Sequence, residues 1–578
     1  MSKARSWFLG IGCLLILLFV AIVGIVAIGM REPALPRHMI VSMRLSGGLT
    51  ERSIEDPFAE LTGGQPMSLR ELRSVLISAA DDDRVEGIRI RIDDFSAGAA
   101  QIQELRTLLT RVSAAGKFTS VYMDSVGEYR PANWSYYLAA AADEISINPL
   151  GDVNVLGLSV RTPFIRGTFD KLGIKPEFPG RGAYKTARFM YTEQEFTPEQ
   201  RDMMDWLMTS MMDQLVAGIA EGRGMEPDAV RELIDRGPFL GPAALEEGLV
   251  DHLEDWTAFT DRIDDKVAGD ADVVSASRYL GSVKSPSGRH TIAVVTAVGG
   301  IMRGENRREL NPLFGGDVMG SDTIARAFRR VRDNDAVKAV VFRIDSPGGS
   351  ALASEVIRRE MERTAEKMPV VISMGNVAAS GGYWITCGAQ RIVAQPGTIT
   401  ASIGVFTGHL NTSQLYNDKL GITFGKLDYG ANANYYGELE DWTDAQRAVT
   451  DRFLDRIYDA FVDRVSTSRG MTPEQVDAIG RGRVFTGEQA LERGLVDVLG
   501  GFTEAVEEAK KLADIPADAR VKLVDYPVQK PLWQQLLHRS AGDDLAVRAA
   551  LEELDRWLRT GVPPAAPGEV WTPPIIVQ

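Results

Sequence analysis

The chain is written twice, and that repeat limits the possible folds more than any other feature. "RHMIVSMRLSGGL" from Arg37 matches "RHTIAVVTAVGGI" from Arg289, an offset of 252 residues. At the same offset, "DRVEGIRIRID" ending at Asp93 matches "DAVKAVVFRID" ending at Asp345. The offset then falls to 247, where "YYLAAAADEI" from Tyr136 faces "YWITCGAQRI" from Tyr383. It falls again to 246, where "GPAALEEGLVD" from Gly241 faces "GEQALERGLVD" from Gly487. Two homologous copies of one folded unit are therefore expected, with small insertions between the matched blocks.

Each copy alternates β-branched runs with amphipathic ones. In the second copy "AVKAVVFRID" reads as a buried strand and "ALASEVIRREMERTAEK" as a helix. "MPVVISMG" and "RIVAQP" read as further strands, and "AASGGYWITCGAQ" as the start of a helix. Strands alternating with helices predict parallel sheets built from βαβ units, so the fold class is α/β. The crossovers of such units are almost always right-handed, which winds them into a spiral. "TDAQRAVTDRFLDRIYDAFVDRVSTSRGM" is a long amphipathic helix, and its counterpart opens at "TPEQRDMMDWLMTSMM", whose methionines read as core packing. The expected units run 37–275 and 289–515, joined by a Ser/Gly-rich linker at 276–288. The tail 516–578 has no partner in the first copy and ends rich in proline.

Composition removes several functions. The net charge is −15, so the chain lacks the basic surface of a nucleic-acid binder. Two cysteines, Cys13 and Cys387, and five scattered histidines show neither a disulfide framework nor metal-ligand spacing. No metal and no cofactor is expected. At the N-terminus, Lys3 and Arg5 precede 25 uncharged residues, Ser6 to Met30. That length crosses a bilayer core of roughly 30 Å. The run has no Ala-x-Ala end, which favours an uncleaved anchor over residues 1–36 against a cleaved signal peptide. Basic residues ahead of the span favour an N-terminus in the cytoplasm and the remaining chain outside, although Arg31 and Arg37 beyond it weaken that orientation.

The two copies differ where chemistry could reside. Ser380 lies in "NVAASGGYW", cleared of bulky side chains; its counterpart is Asn133, with Trp134 and Ser135 in place of Gly381 and Gly382. "IDSPGGS" carries Gly348 and Gly349, where the first copy has Ser96 and Ala97. A Pro-Gly-Gly turn is either a plain tight turn or one that aims backbone N–H groups at an oxyanion. Lys185 in "GAYKTARF" faces Ala431. One copy thus has a lysine without the serine, and the other the serine without the lysine. A lysine serves as a base only if burial or positive neighbours lower its pKa. Alternatively, Lys185 is solvated beside Arg181 and Arg188. His409 is the remaining candidate base, while His38 and His290 sit at equivalent positions and read as structural.

"RIDSPGGS", "SMGNVAASGGYW", "TITASIGVF" and the upstream "AYKTA" together resemble the signal peptide peptidase A (protease IV) family in its long form. The resemblance covers the anchor, both copies and their order. It implies a ClpP/crotonase-like spiral, with Ser380 as nucleophile and Lys185 as general base. It further implies that Ser402 positions the lysine, and that Gly349 with Gly348 and Gly381 forms the oxyanion hole. Hydrophobic peptides such as cleaved signal peptides would be substrates. The implied setting is a homotetramer held by one span in the bacterial inner membrane, with its catalytic units on the extracytoplasmic side. Two rivals stand beside it: a crotonase-type acyl-CoA enzyme, which shares the spiral, and a non-catalytic membrane scaffold.

Overall fold

The computed structural model describes residues 34–52, 66–267, 271–283, 288–309, 316–527 and 576–577. The expected anchor over 1–36 lies almost wholly outside them. Among the described residues no helix is long and apolar enough to cross a membrane.

The repeat reappears as two parallel sheets with one strand order. The first sheet runs Asp272–Ser275, Met39–Gly48, Val85–Ser96, Phe118–Met123, Glu144–Ile147, His252–Leu253. Every neighbouring pair is parallel. The second repeats it as Val521–Tyr526, His290–Val298, Val337–Ser346, Val370–Ala379, Arg391–Ala394, Val498–Leu499, again all parallel. Parallel strands with both faces covered should be nearly all apolar. Val337–Ser346 fits: six successive residues, Ala339 to Ile344, are buried. Helices Leu69–Asp81 and Ala99–Ala114 pack on the first sheet, and Ser321–Arg332 and Ala351–Ala365 on the second. The tandem α/β architecture expected from the repeat is present.

Two segments differ from the expected limits. The stretch read as a linker at 276–288 begins as helix Ala276–Ser282, which buries Ala276 and Tyr279 against the first unit. Strand Val521–Tyr526, beyond the expected end at 515, forms the edge beside His290–Val298. It holds the place that Asp272–Ser275 holds in the first sheet. Backbone pairing at a sheet edge needs no matching side chains, so the two sequences have diverged without losing the strand.

The second sheet carries an extra branch. The end of Val370–Ala379 leaves Arg391–Ala394 and pairs with Ile399–Ala401, which pairs antiparallel with Val484–Thr486. The split opens the sheet just ahead of residue 380. Into it reaches an excursion of the first unit. Lys175–Glu177 pairs antiparallel with His409–Asn411, and Gly180–Arg181 with Val405–Phe406. These short ladders fix the register of the 182–188 loop against the other unit.

Candidate active site

Strand Val370–Ala379 delivers Ser380 in an unusual conformation, φ 56° and ψ −118°, fully buried. Its amide donates to the Ala401 carbonyl at 2.7 Å. Seven described non-glycine residues have positive φ, and four of them gather here: Ser380, Ala401, Ser402 and Arg481. Such backbone strain concentrates at working sites, where the surroundings hold it in place. The glycines after Ser380 answer to close contacts. A Cβ on Gly382 would meet the Ser346 carbonyl oxygen at 2.5 Å, and one on Gly381 would meet Ser354 Oγ at 2.7 Å. The helix that follows is shorter than its sequence suggests, only Gly381–Trp384, so its dipole adds little.

Lys185 arrives from the first unit and is 1% exposed. Its Nζ lies 2.9 Å from Ser380 Oγ, 3.0 Å from Ser402 Oγ and 3.1 Å from the Ser402 carbonyl oxygen. A neutral amine has two N–H donors and one lone pair. It can donate to both Ser402 oxygens and accept from the Ser380 hydroxyl. Burial pushes the Lys185 pKa well below the ordinary lysine value. The solvated alternative is thereby removed. Arg181 and Arg188, the suspected basic patch, are engaged elsewhere: Arg181 with Asp455 and Asp451, Arg188 with the Phe178 carbonyl.

The turn at 346–350 stands over this pair. Gly349 has φ 153°, and a Cβ there would meet the Ile301 carbonyl oxygen at 2.2 Å. The Gly349 amide nitrogen lies close to Gly381, 3.1 Å from where a Cβ would project. The Gly348 amide donates to Ser346 Oγ at 3.2 Å, so it is turned into its own loop. Ile576–Val577 runs antiparallel along Gly349–Ser350.

His409 takes no part in this cluster. Its Nε2 bonds the Glu440 carbonyl oxygen at 2.8 Å and its ring stacks on Trp442. In the first unit the corresponding place is filled by structure. Asn133 donates to the Gly157 carbonyl at 2.7 Å and accepts from the Leu156 and Gly157 amides. Sequence comparison missed the loop Gly480–Arg483, which touches both Lys185 and Ser402; its only trace was two glycines around an arginine.

A half-buried carboxylate lies behind the turn. Asp345 accepts from the Val377 amide at 3.0 Å. Burial, aided by nearby Glu51, pushes its pKa up to about 6 against the pull of Arg343.

The family model for peptidase family S49 matches residues 114–269 and 362–516, one segment in each unit. Serine protease SPPA, chloroplastic, of Arabidopsis thaliana is 31% identical over 79% of this chain and 68% of its own. Protease 4 of Haemophilus influenzae is 30% identical over 95% of this chain and 91% of its own. Protease 4 of Salmonella typhi is 32% identical over 78% and 73% respectively. These matches lend nothing to the acyl-CoA or scaffold alternatives. The chain belongs to peptidase family S49 and is a serine protease of the protease IV type.

Proposed function

We propose that this protease cleaves peptides with a serine–lysine dyad assembled from its two units, and that cleaved signal peptides and similar hydrophobic peptides are its substrates. The observation that carries the dyad is the 2.9 Å separation of Lys185 Nζ and Ser380 Oγ, both side chains being buried. Neutral Lys185 takes the Ser380 proton as Oγ attacks the peptide carbonyl. It then hands that proton to the leaving amine, and water hydrolyses the acyl-enzyme by the same route. Ser402 holds the amine through its hydroxyl and carbonyl oxygens. The Gly349 and Gly381 amides serve the oxyanion, while Gly348 shapes the turn.

An extended peptide would lie antiparallel along Gly349–Ser350, as Ile576–Val577 does. Main-chain pairing of this kind is indifferent to side chains and suits a degradative enzyme. The proposal includes the single N-terminal span in the bacterial inner membrane, the catalytic units on its extracytoplasmic side, and assembly as a homotetramer. It keeps the unit limits 37–275 and 289–515 as the repeats, with Val521–Tyr526 added at the second sheet's edge.

The test is turnover of a synthetic signal peptide, together with labelling by a fluorophosphonate probe. Ser380→Ala should abolish labelling, and Ser380→Ala and Lys185→Ala should each lower kcat by at least about 10³-fold. Retained turnover in Lys185→Ala would refute the dyad while leaving the protease assignment intact.

A further inference from the structure

Lys185 reaches Ser380 from another unit of the chain, across a junction that no covalent loop shorter than 195 residues closes. Something must fix the lysine's backbone to within a fraction of an ångström. The two short ladders at 175–181 stop before it. The residues that continue the task belong to the second unit, in the turn between helix Pro473–Ile479 and strand Val484–Thr486.

This turn touches the lysine loop and the Ser402 loop at once. The Tyr184 amide donates to the Arg481 carbonyl oxygen at 2.8 Å. The Gly482 amide donates to the Ile403 carbonyl at 2.7 Å, and the Ser402 amide donates to the Arg483 carbonyl at 2.9 Å. Three consecutive residues thus bond to the neighbours of the amine and of the serine that holds it. The contact is close. A Cβ on Gly482 would lie 2.3 Å from the Lys185 amide nitrogen, 2.6 Å from its Cα and 2.7 Å from its Cβ. The other side is equally tight: a Cβ on Gly182 would lie 2.4 Å from the Arg481 carbonyl carbon and oxygen. Both glycines have positive φ, 88° and 99°, and Arg481 between them in space has 55°. The Arg483 guanidinium caps the arrangement, 3.7 Å over the Tyr184 ring and paired with Asp202 at 3.1 Å.

We propose that Gly480–Arg483 is a positioning clamp for the reaction, and that Gly482 is the residue that sets where Lys185 stands relative to Ser380 and Ser402. The inference rests on the dyad reading above and adds to it a third segment that touches neither substrate nor reacting atoms. Each glycine faces backbone of the other unit, Gly482 that of Lys185 and Gly182 that of Arg481, because the two units approach to contact there. Any side chain on Gly482 must push the Lys185 backbone away, and the amine moves with it. A displacement near 1 Å at a reacting group lowers rate by about 10²-fold without a change in binding.

The experiment compares the full-length enzyme with Gly482→Ala, Gly470→Ala, Arg483→Ala and Lys185→Ala, following peptide turnover against pH and thermal unfolding. Gly470 is the control for conformation: its φ is 65°, yet a Cβ there meets nothing within 4 Å. Gly482→Ala should lower kcat by about 10²-fold with KM unchanged. Gly470→Ala should lose stability and keep its turnover. Arg483→Ala keeps all the backbone bonds. It should lower kcat by about tenfold and move the acid limb of the rate profile to higher pH, because a looser amine is better solvated. If Gly482→Ala does not fold, the Arg483→Ala profile decides. Wild-type kcat and an unmoved limb in Arg483→Ala, or equal turnover in the two glycine variants, overturns the clamp. An inactive Lys185→Ala beside an active Gly482→Ala sinks the clamp alone. An active Lys185→Ala sinks the dyad first.

Discussion

Arg343 of the second unit and Glu104 of the first meet at 3.0 Å, each 3% exposed. Glu51 completes the pairing with Arg343 at 2.9 and 3.0 Å, and Arg73 binds Glu104 at 2.7 Å. Arg343 also donates to Ser373 Oγ and the Met374 carbonyl, so the guanidinium is spent on five oxygens of both units. It sits on the strand that leads to the 346–350 turn. Burial of such charges stabilises little by itself, but removing one partner strands the others. Arg343→Met should therefore cost about 3–5 kcal/mol in unfolding free energy, measured by urea titration. A variant as stable as wild type would show that the cluster is hydrated or already neutral.

The buried amine makes a pH prediction with a definite sign. Lys185 has a lowered pKa in the fold, whereas in the unfolded chain it titrates near the ordinary 10.5. Between those two values the unfolded state binds the extra proton, so stability rises with pH and levels off above 10.5. At pH 7 the lysine is a burden. Lys185→Met should be more stable than wild type at pH 7, with the gap closing as pH approaches 10.5. Activity should follow the same protonation: kcat/KM rises with pH through the lowered value and is already near its plateau well short of 10.5. An acid limb at the ordinary lysine value would refute a desolvated base.

Much of this was legible in the sequence because the copies diverged unequally. The serine and the lysine could be found since each copy lacks what the other retains, the pattern that one site shared by two degenerate copies leaves behind. The parallel sheets were legible from apolar runs such as Ala339 to Ile344. What stayed hidden is made of backbone. Val521–Tyr526 joins its sheet through main-chain bonds. The ladders at 175–181 are two and three residues long, too short for any periodicity to register. Gly482 stands out in no sequence pattern, because its partner is the Lys185 main chain and not a side chain. The Gly348 amide was an oxyanion candidate until its bond to Ser346 was known.

Ser402 offers a milder test of the site. Its hydroxyl and carbonyl both bond Nζ, and Ser402→Ala removes only the hydroxyl. The amine keeps Ser380 and one carbonyl, so the variant should fold and label slowly. One hydrogen bond of about 1.5–3 kcal/mol corresponds to a loss of roughly tenfold to a hundredfold in kcat. Labelling kinetics at fixed pH would measure it. A rate equal to that of Ser380→Ala would mean that Ser402 does more than orient the amine.

Asp345 gives the opposite pH sign from Lys185. Its folded pKa, about 6, lies above the ordinary 3.8 of the unfolded chain. The folded state therefore binds the extra proton between these values. Its stabilisation is fully present below 3.8 and is lost as pH rises through 6. The change should be on the order of 2 kcal/mol between pH 4 and pH 8. Asp345→Asn keeps an acceptor for the Val377 amide and carries no charge to bury. It should hold its stability across that range and be the more stable protein at pH 8. Lys185 bonds Ser380 and Ser402 and not Asp345, so the substitution should also leave the Lys185-dependent limb of the rate profile in place. Parallel unfolding curves for both proteins at pH 5 and pH 8 decide the matter: equal losses in the two would mean that Asp345 is ionised throughout.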